Sequence, residues 1–239
     1  RYPAPQYWVM EEGVRPTWEG EWCIAYKSVT APSNMRTMIA AIVPQCGVGN
    51  SMAMLLPKPG HEDSYPRWAA LLLANLGSMA FDFALRQKVQ GQNLNWFIVE
   101  QAAVIAPERF SEPLPTAFAS AMRAARLMNG HHPQPTVADF VLPQVLALSY
   151  TAHDLAPFAR DLGYVDAAGE PLPPIVWNDD ERRARLAALD ALFFWLYGLG
   201  ADDAAYVMAQ FPIVREQDER AFGRFRTCED VLDWLRHVV

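Results

Sequence analysis

Two apolar runs near the start of the chain constrain its fold more than any other stretch. Residues 22–29 and 37–43 are rich in aromatic, β-branched and aliphatic side chains, and each is long enough for one strand. The seven residues between them, TAPSNMR, are mostly polar and contain Pro32 and Asn34, which favour a turn. This stretch therefore predicts two strands joined by a polar loop that cannot be part of the core.

The loop and its flanks are dense in groups that hydrogen-bond to nucleic acids. Such side chains pair with base edges and with phosphate oxygens. The alternative is an ordinary surface turn, because most polar turns between strands have no further role. The candidate DNA-binding residues of this stretch are Lys27, Ser28, Thr30, Ser33, Asn34, Arg36 and Thr37.

A second polar segment follows a predicted long helix. Residues 67–89 keep apolar side chains at helical spacing, and Pro66 suits the first turn of a helix. We predict that this helix packs against the sheet and places the second segment beside the first loop. The Arg and Lys side chains of this second segment could instead compensate the helix dipole. Its amide side chains could instead belong to a solvated turn. The candidate DNA-binding residues here are Arg86, Gln87, Lys88, Gln90, Gln92, Asn93 and Asn95.

The remaining patterns complete an α+β prediction. Residues 51–56 and 96–99 predict two more strands. Helices separated by Pro and Gly are predicted at residues 116–128, 136–152, 153–162, 179–197, 202–211 and 227–237. The predicted fold is a small mixed sheet with a long packed helix, followed by an all-helical part. The predicted domains are residues 1–110, with an aromatic and Pro-rich lead-in, and residues 111–239.

The distribution of charge bears on nucleic-acid binding. The net charge of −7 opposes such a role at first sight, because DNA-binding surfaces are basic. Residues 1–110 contain nine Lys or Arg and nine Asp or Glu, whereas residues 111–239 contain eleven against eighteen. The first half is therefore neutral with local basic clusters, which is compatible with a specificity module.

Several segments occur in an order that is typical of one protein family. An aromatic and basic strand leads to a loop ending in Asn34-x-Arg36-Thr37, and the aliphatic strand that follows closes with Pro44. An Arg86-Gln87-Lys88-x-x-Gly91 segment comes next, and then residues 148–155, 158–164, 185–198 and 211–215. Together they resemble the target-recognition region and helical tail of large adenine-specific DNA methyltransferases. These are the type IIG restriction-modification enzymes and the related methyltransferases of BREX- and DISARM-like phage-defence systems.

The resemblance implies a role in reading DNA sequence within a larger methyltransferase. The implied partners are double-stranded DNA, an upstream methyltransferase domain of the same chain and other defence-system subunits. S-adenosylmethionine would bind in the upstream domain, and no cofactor is expected in these residues. A start without Met or a leader sequence is what we expect of a fragment of such a chain.

Motifs for catalysis are missing from the sequence. The methyltransferases that it resembles position the target amine with an Asn/Asp-Pro-Pro-aromatic motif, but Pro173-Pro174 is flanked here by Leu172 and Ile175. The three cysteines and five histidines, including the His131-His132 pair, match no metal-ligand spacing. We therefore predict no catalytic and no metal-binding residues, a cytoplasmic location with buried reduced thiols, and no membrane span.

A protein-interaction module is the alternative function. In that case the acidic helical half would dock another subunit of a defence complex, and the first half would serve as a scaffold. The cluster of Arg182, Arg183 and Arg185 fits either a phosphate-binding helix face or a solvated face paired with the acidic residues 179–181.

Overall fold

The computed structural model describes residues 20–128 and 133–238. Most of the predicted aromatic lead-in, residues 1–19, lies outside the described residues, and so does the His131-His132 pair.

A three-stranded antiparallel sheet forms the β part of the fold. Its strands are β1 (Trp22–Lys27), β2 (Ala40–Pro44) and β3 (Met52–Leu55), in the order β2-β1-β3. Ile24 in the central strand pairs with Ile42 on one side and with Leu55 on the other. The first five residues of β1 are all buried, which explains its continuous apolar run. The three strands predicted before residue 60 are confirmed, but the sheet is antiparallel and the prediction of a mixed sheet is wrong.

Helices make up most of the remaining described chain, so the predicted α+β fold class is confirmed. Short 3₁₀ turns lie at Pro107–Ser111 and His153–Leu155. The α-helices are α1 (Tyr65–Gly77), α2 (Met79–Arg86), α3 (Trp96–Val99), α4 (Thr116–Ala124), α5 (Val137–Ser149), α6 (Ala156–Asp161), α7 (Asp179–Leu196), α8 (Ala201–Ala209), α9 (Pro212–Phe222) and α10 (Arg226–Leu235).

The predicted long helix is broken at Ser78. This residue has an extended backbone, with φ −76° and ψ 148°, and its hydroxyl accepts a hydrogen bond from the N–H of Phe81 at 3.3 Å as the N-cap of α2. The axes of α1 and α2 differ by 66°. The carboxylate of Asp190, on α7, accepts a hydrogen bond from the N–H of Met79 at 2.7 Å and so satisfies the new helix start. The prediction of one continuous helix is therefore wrong.

Three other local predictions need correction. Residues 96–99, predicted as a strand, form the single helical turn α3. Helix α9 was not predicted, although Pro212 occupies a favourable position in its first turn. The helix predicted at residues 227–237 instead runs from Arg226 to Leu235, and the N–H of Thr227 donates to Asp218.

Buried residues from both sides of residue 110 share one core. Leu71 on α1, Phe140 on α5 and Phe193 on α7 are fully buried within it. A second, smaller core lies beside the sheet and contains Tyr26, Met38, Leu76, Phe81, Leu85, Val89 and Leu94. The predicted boundary at residue 110 is thus crossed by packing, and the helical part supports the sheet directly.

The prediction of buried thiols holds for one of the three cysteines. Cys23 is buried, Cys228 is partly buried and Cys46 is exposed. Burial raises the pKa of the Cys23 thiol to about 11.

Within the described ranges no single helix is both long and apolar enough to cross a membrane. Two bent pairs of helices, α1 with α2 and α7 with α8, meet that test of length and composition only when they are taken together.

Candidate nucleic-acid interface

The two predicted polar segments lie side by side. The N–H of Thr30 donates to the carbonyl oxygen of Gln92 at 3.0 Å, and the N–H of Leu94 donates to the carbonyl oxygen of Ser28 at 2.7 Å. Val29 and Asn93 form an antiparallel bridge between these two bonds. The expectation that the segments are neighbours in space is therefore confirmed.

The smaller core gives both segments a rigid base. Tyr26 enters it from β1 and Met38 from the end of the first loop, while Val89 and Leu94 enter it from the second segment. All four side chains are at most 5% exposed. Because each segment is anchored by buried apolar side chains at both ends, the polar residues between these anchors keep fixed relative positions.

Nine of the fourteen candidate side chains are exposed along these segments. We call them the polar surface. Ser28 and Arg36 are only partly exposed, and the hydroxyl of Ser28 donates to the carbonyl oxygen of Ser51 at 2.9 Å. The polar surface consists of Lys27, Ser33, Asn34, Gln87, Lys88, Gln90, Gln92, Asn93 and Asn95.

The segments of the polar surface contain cations and amides without carboxylates. Residues 22–61 and 86–99 include no Asp or Glu. The ammonium group of Lys88 donates to the carbonyl oxygen of Gln101 at 2.6 Å, which holds the side chain across α3. Lys27 lies at the end of β1, opposite Met52. The charged side chains within these two segments are therefore all cationic, in contrast to the negative charge of the whole chain, and the exposed Glu100 follows directly after them.

Three of the predicted DNA-binding residues are buried and do not belong to the polar surface. Thr30 is 3% exposed, Thr37 is fully buried and Arg86 is 9% exposed. The hydroxyl of Thr30 accepts a hydrogen bond from the amide of Asn34 at 3.2 Å, so it stabilises the loop. The N–H of Thr37 donates to Oδ2 of Asp82 at 2.8 Å.

Arg86 is an internal residue because its partners surround it. Its Nη1 donates to the carbonyl oxygen of Gln210 at 3.1 Å, and its guanidinium carbon lies 3.9 Å from the centre of the Phe211 ring. Its other nitrogens bind Asp82 at 2.9 and 3.1 Å. Helix α2 is thereby attached to the end of α8.

Arg36 also points largely inward. Its Nη2 lies 3.8 Å from Oδ2 of Asp190, and Nη1 is buried without a hydrogen-bond partner in the described part of the chain. Burial raises the pKa of the Asp190 carboxyl, whereas Arg36 and the N–H of Met79 lower it. The main role of Arg36 is therefore to be the counter-ion of the buried carboxylate of Asp190.

Asp82 and Asp190 were missed as organising residues by the sequence analysis. Asp82 accepts hydrogen bonds from the first loop and from Arg86, and Asp190 binds the start of α2. Both lie inside otherwise apolar helical stretches, FDFAL and LDALF. A carboxylate at such a position requires a partner, and this is the signal that could have identified them.

An open cleft of about 340 Å³ lies on the other side of Asp190. Its walls come from β2, the α1–α2 junction, α5 and α7, and they are mainly aliphatic, with Leu73, Leu148 and Leu189 among them. Arg182 closes one side, where its Nη1 donates to the carbonyl oxygen of Leu148 at 2.9 Å. The cleft offers an apolar volume with one carboxylate but no paired nucleophile and base.

The glycine turn between β2 and β3 differs from the turns that bind nucleotide-type cofactors. The Gly47–Gly49 turn leads into strand β3, whereas nucleotide-type cofactors bind a glycine turn that leads into a helix. Within residues 20–128 and 133–238 no cluster of three His, Cys, Asp or Glu side chains could hold a metal ion.

Comparison with protein-family models, with curated proteins and with solved structures finds no match for this chain.

Proposed function

We propose that this chain is the DNA-recognition part of an adenine-specific DNA methyltransferase of a restriction-modification or phage-defence system. The observation that carries the proposal is the pairing of the two polar segments at Val29 and Asn93. It joins nine exposed polar side chains into one surface on a rigid base. The order of segments that resembles this class of methyltransferases supplies the choice of nucleic acid as the ligand.

The chemistry of the polar surface supports this proposal. Asn and Gln side chains can form paired hydrogen bonds with adenine, and Lys can bind guanine or a phosphate. The surface contains Gln90, Gln92 and Asn93 beside Lys88. Amides on a rigid base would supply sequence readout, while two lysines would supply only weak non-specific affinity.

The proposal assigns catalysis to another domain. An upstream methyltransferase domain would bind S-adenosylmethionine, extract the target adenine from the duplex and methylate it in the cytoplasm. The helical half would hold the polar surface against that domain, and other defence-system subunits are further proposed partners.

The salt dependence of duplex binding tests this function. The full chain would be titrated with a fluorescent duplex of about 30 base pairs and mixed sequence, between about 50 and 200 mM salt. If two lysines contact phosphates, the affinity should fall about tenfold over this range. No detectable binding at the lowest salt would overturn the proposal.

A protein-docking function is the second candidate, and one surface favours it. Val176 and Trp177 are exposed just before α7, and Leu186 is exposed at the rim of the aliphatic cleft. Asp180 and Glu181 are exposed beside them. Because Arg183 and Arg185 already pair with these two carboxylates, the apolar groups are what would bind a partner, and they fit a segment with aliphatic side chains.

The occupant proposed for this docking surface is the upstream methyltransferase domain. Leu186→Arg should weaken association of the chain with that domain, whereas removal of Lys27 and Lys88 should not. Unchanged association of the Leu186→Arg chain would contradict this second function.

A further inference from the structure

Two adjacent aromatic side chains project beside the polar surface. Trp96 is 51% exposed and Phe97 is 58% exposed, and both lie on α3, which begins directly after Asn95. Burial of two aromatic rings would stabilise the fold substantially, and these exposed rings do not make that contribution. Such exposed apolar groups indicate an interaction site more often than isolated ones do.

Helix α3 is fixed at both ends to the segments of the polar surface. Before it, the N–H of Leu94 donates to Ser28 at 2.7 Å; after it, the carbonyl oxygen of Gln101 accepts from Lys88 at 2.6 Å. Ile98 and Val99 pack against the smaller core. Trp96 and Phe97 therefore have a packed, fixed helical turn beneath them.

Other exposed apolar side chains also lie near the polar surface. Val29 is exposed at the bridge between the segments, and Met52 is exposed opposite Lys27. By contrast, the exposed Trp177 has partners within the chain: its Nε1 donates to Asp179 at 2.8 Å, and Arg182 stacks over its ring at 3.6 Å. No ring or cation contact of this kind involves Trp96 or Phe97 in the described ranges.

We infer that Trp96 and Phe97 form an aromatic contact that stacks on the bases of duplex DNA at a distorted base step. The inference rests on the proposed function and adds two residues and a mode of binding to it. DNA is the occupant because the segments that hold α3 carry exposed lysines and amides, which complement phosphates and base edges, while the carboxylate of Glu100 lies beyond the end of the helix. Apolar side chains inserted at a base step unstack it and bend the duplex, while the cations beside them hold the backbone.

Affinity and salt dependence separate this contact from the lysines. Removing one aromatic stack from a base lowers affinity by about 5- to 100-fold. A neutral ring displaces no counterions, so the slope of log affinity against log salt should be unchanged. The experiment would compare the full chain with its Trp96→Ala and Phe97→Ala variants on a mixed-sequence duplex containing 2-aminopurine.

The expected result is weaker binding by both variants, an unchanged salt slope, and loss of the fluorescence increase that unstacking of 2-aminopurine produces. Trp68→Ala is the matched control. Trp68 is a partly exposed tryptophan near the start of α1, and the hydroxyl of the nearby Tyr65 bonds Leu55 at the far end of the sheet. This control should bind like the unsubstituted chain.

Two results would overturn the inference, and they are distinguishable. If the unsubstituted chain binds duplex DNA and both variants bind equally well with the same fluorescence change, the aromatic contact is absent while the proposed function stands. If the unsubstituted chain binds no duplex, the proposed function fails and the inference fails with it. Because both side chains are exposed, the variants should keep the unfolding midpoint of the unsubstituted chain, which circular dichroism would verify.

Discussion

Arg86 binds one oxygen of Asp82, and the other oxygen of the same carboxylate holds the first polar loop. Nε and Nη2 of Arg86 lie 3.1 and 2.9 Å from Oδ1, while Oδ2 accepts from the N–H groups of Thr37 and Met38 at 2.8 and 3.2 Å. A buried ion pair on α2 thus fixes the position of a loop that is 45 residues away in sequence. The loop should lose its conformation when either partner is removed.

Replacing Arg86 with Ala should lower the free energy of unfolding by about 3–5 kcal/mol, because it leaves the carboxylate of Asp82 buried and without its cation. The matched control is Arg220→Ala, which removes an exposed partner of Glu216 with the same four-residue helical spacing. That change should cost no more than about 0.5 kcal/mol. Urea denaturation would measure both values, and similar losses in the two variants would contradict the internal role of Arg86.

Asp190 should make stability depend on pH relative to an Asp190→Asn variant. Burial and the nearby Asp82 raise the pKa of this carboxyl, and Arg36 and the N–H of Met79 oppose the rise. Below the unfolded pKa of about 3.9 the group is protonated in both states, so no penalty exists. As the pH rises above that value, the folded state resists ionisation, and stability falls until the folded pKa is passed.

The unsubstituted chain should therefore lose stability relative to Asp190→Asn as the pH rises from about 4, and the difference should become constant above the folded pKa. Each unit by which the pKa is raised corresponds to about 1.4 kcal/mol. The Asn side chain keeps an oxygen for the N–H of Met79, which makes the comparison specific for charge. Urea unfolding of both chains at several pH values gives the difference, and a constant difference throughout would refute the expectation.

The sequence predicted elements where the local pattern agreed with the tertiary structure. Strands β1 to β3 and helix α7 follow clear apolar runs, and Asn178 caps α7 as its spacing to Glu181 predicts. The break at Ser78 could not be read locally, because apolar residues continue through it and the carboxylate that satisfies the new helix start comes from α7. Four apolar residues such as 96–99 are too few to distinguish a strand from a helical turn.

For the candidate site, proximity was predictable but burial was not. The segments lie side by side as predicted, as the bridge of Val29 and Asn93 shows, although two helices instead of one lead to the second segment. An arginine on a surface and one inside an ion pair look the same in sequence, so Arg36 and Arg86 could be assigned only from their contacts with Asp190 and Asp82. Long-range partners, rather than local propensity, decided the role of these two residues.

Asn75 and Tyr197 should be energetically coupled across the predicted domain boundary. The amide of Asn75 donates to the hydroxyl of Tyr197 at 2.7 Å, and its oxygen accepts from the N–H of Ile105 at 2.7 Å. Tyr197 in turn donates to the carbonyl oxygen of Ala103 at 2.9 Å. Asn75→Ala should cost about 2–4 kcal/mol, because it removes buried hydrogen bonds and leaves a cavity.

A double-mutant cycle with Tyr197→Phe would measure the coupling, which we expect to be about 0.5–3 kcal/mol. Tyr206→Phe serves as the control, since Tyr206 is an exposed tyrosine on α8, and it should change stability by less than about 0.5 kcal/mol. Strict additivity of the two substitutions would show that the hydrogen bond between α1 and the end of α7 does not join the two parts.

The three lysines of the chain offer a direct test of the polar surface. Lys27 and Lys88 lie on it, whereas Lys58 follows the end of β3 that pairs with Ile24. Ile24 lies three residues along β1 from Lys27, which corresponds to about 10 Å. Lys58 is thus an exposed lysine just beyond the opposite end of the same sheet, and its removal changes the net charge by the same amount as removal of either of the other two lysines.

Each lysine that neutralises a phosphate contributes about 0.9 to the slope of log affinity against log salt. The double variant Lys27→Ala, Lys88→Ala should therefore lower the slope by about 1.8, and Lys58→Ala should leave it unchanged. Fluorescence anisotropy with one duplex at several salt concentrations gives all the slopes. If Lys58→Ala lowers the slope as much per lysine as the double variant does, binding follows net charge alone, and the polar surface is not the contact.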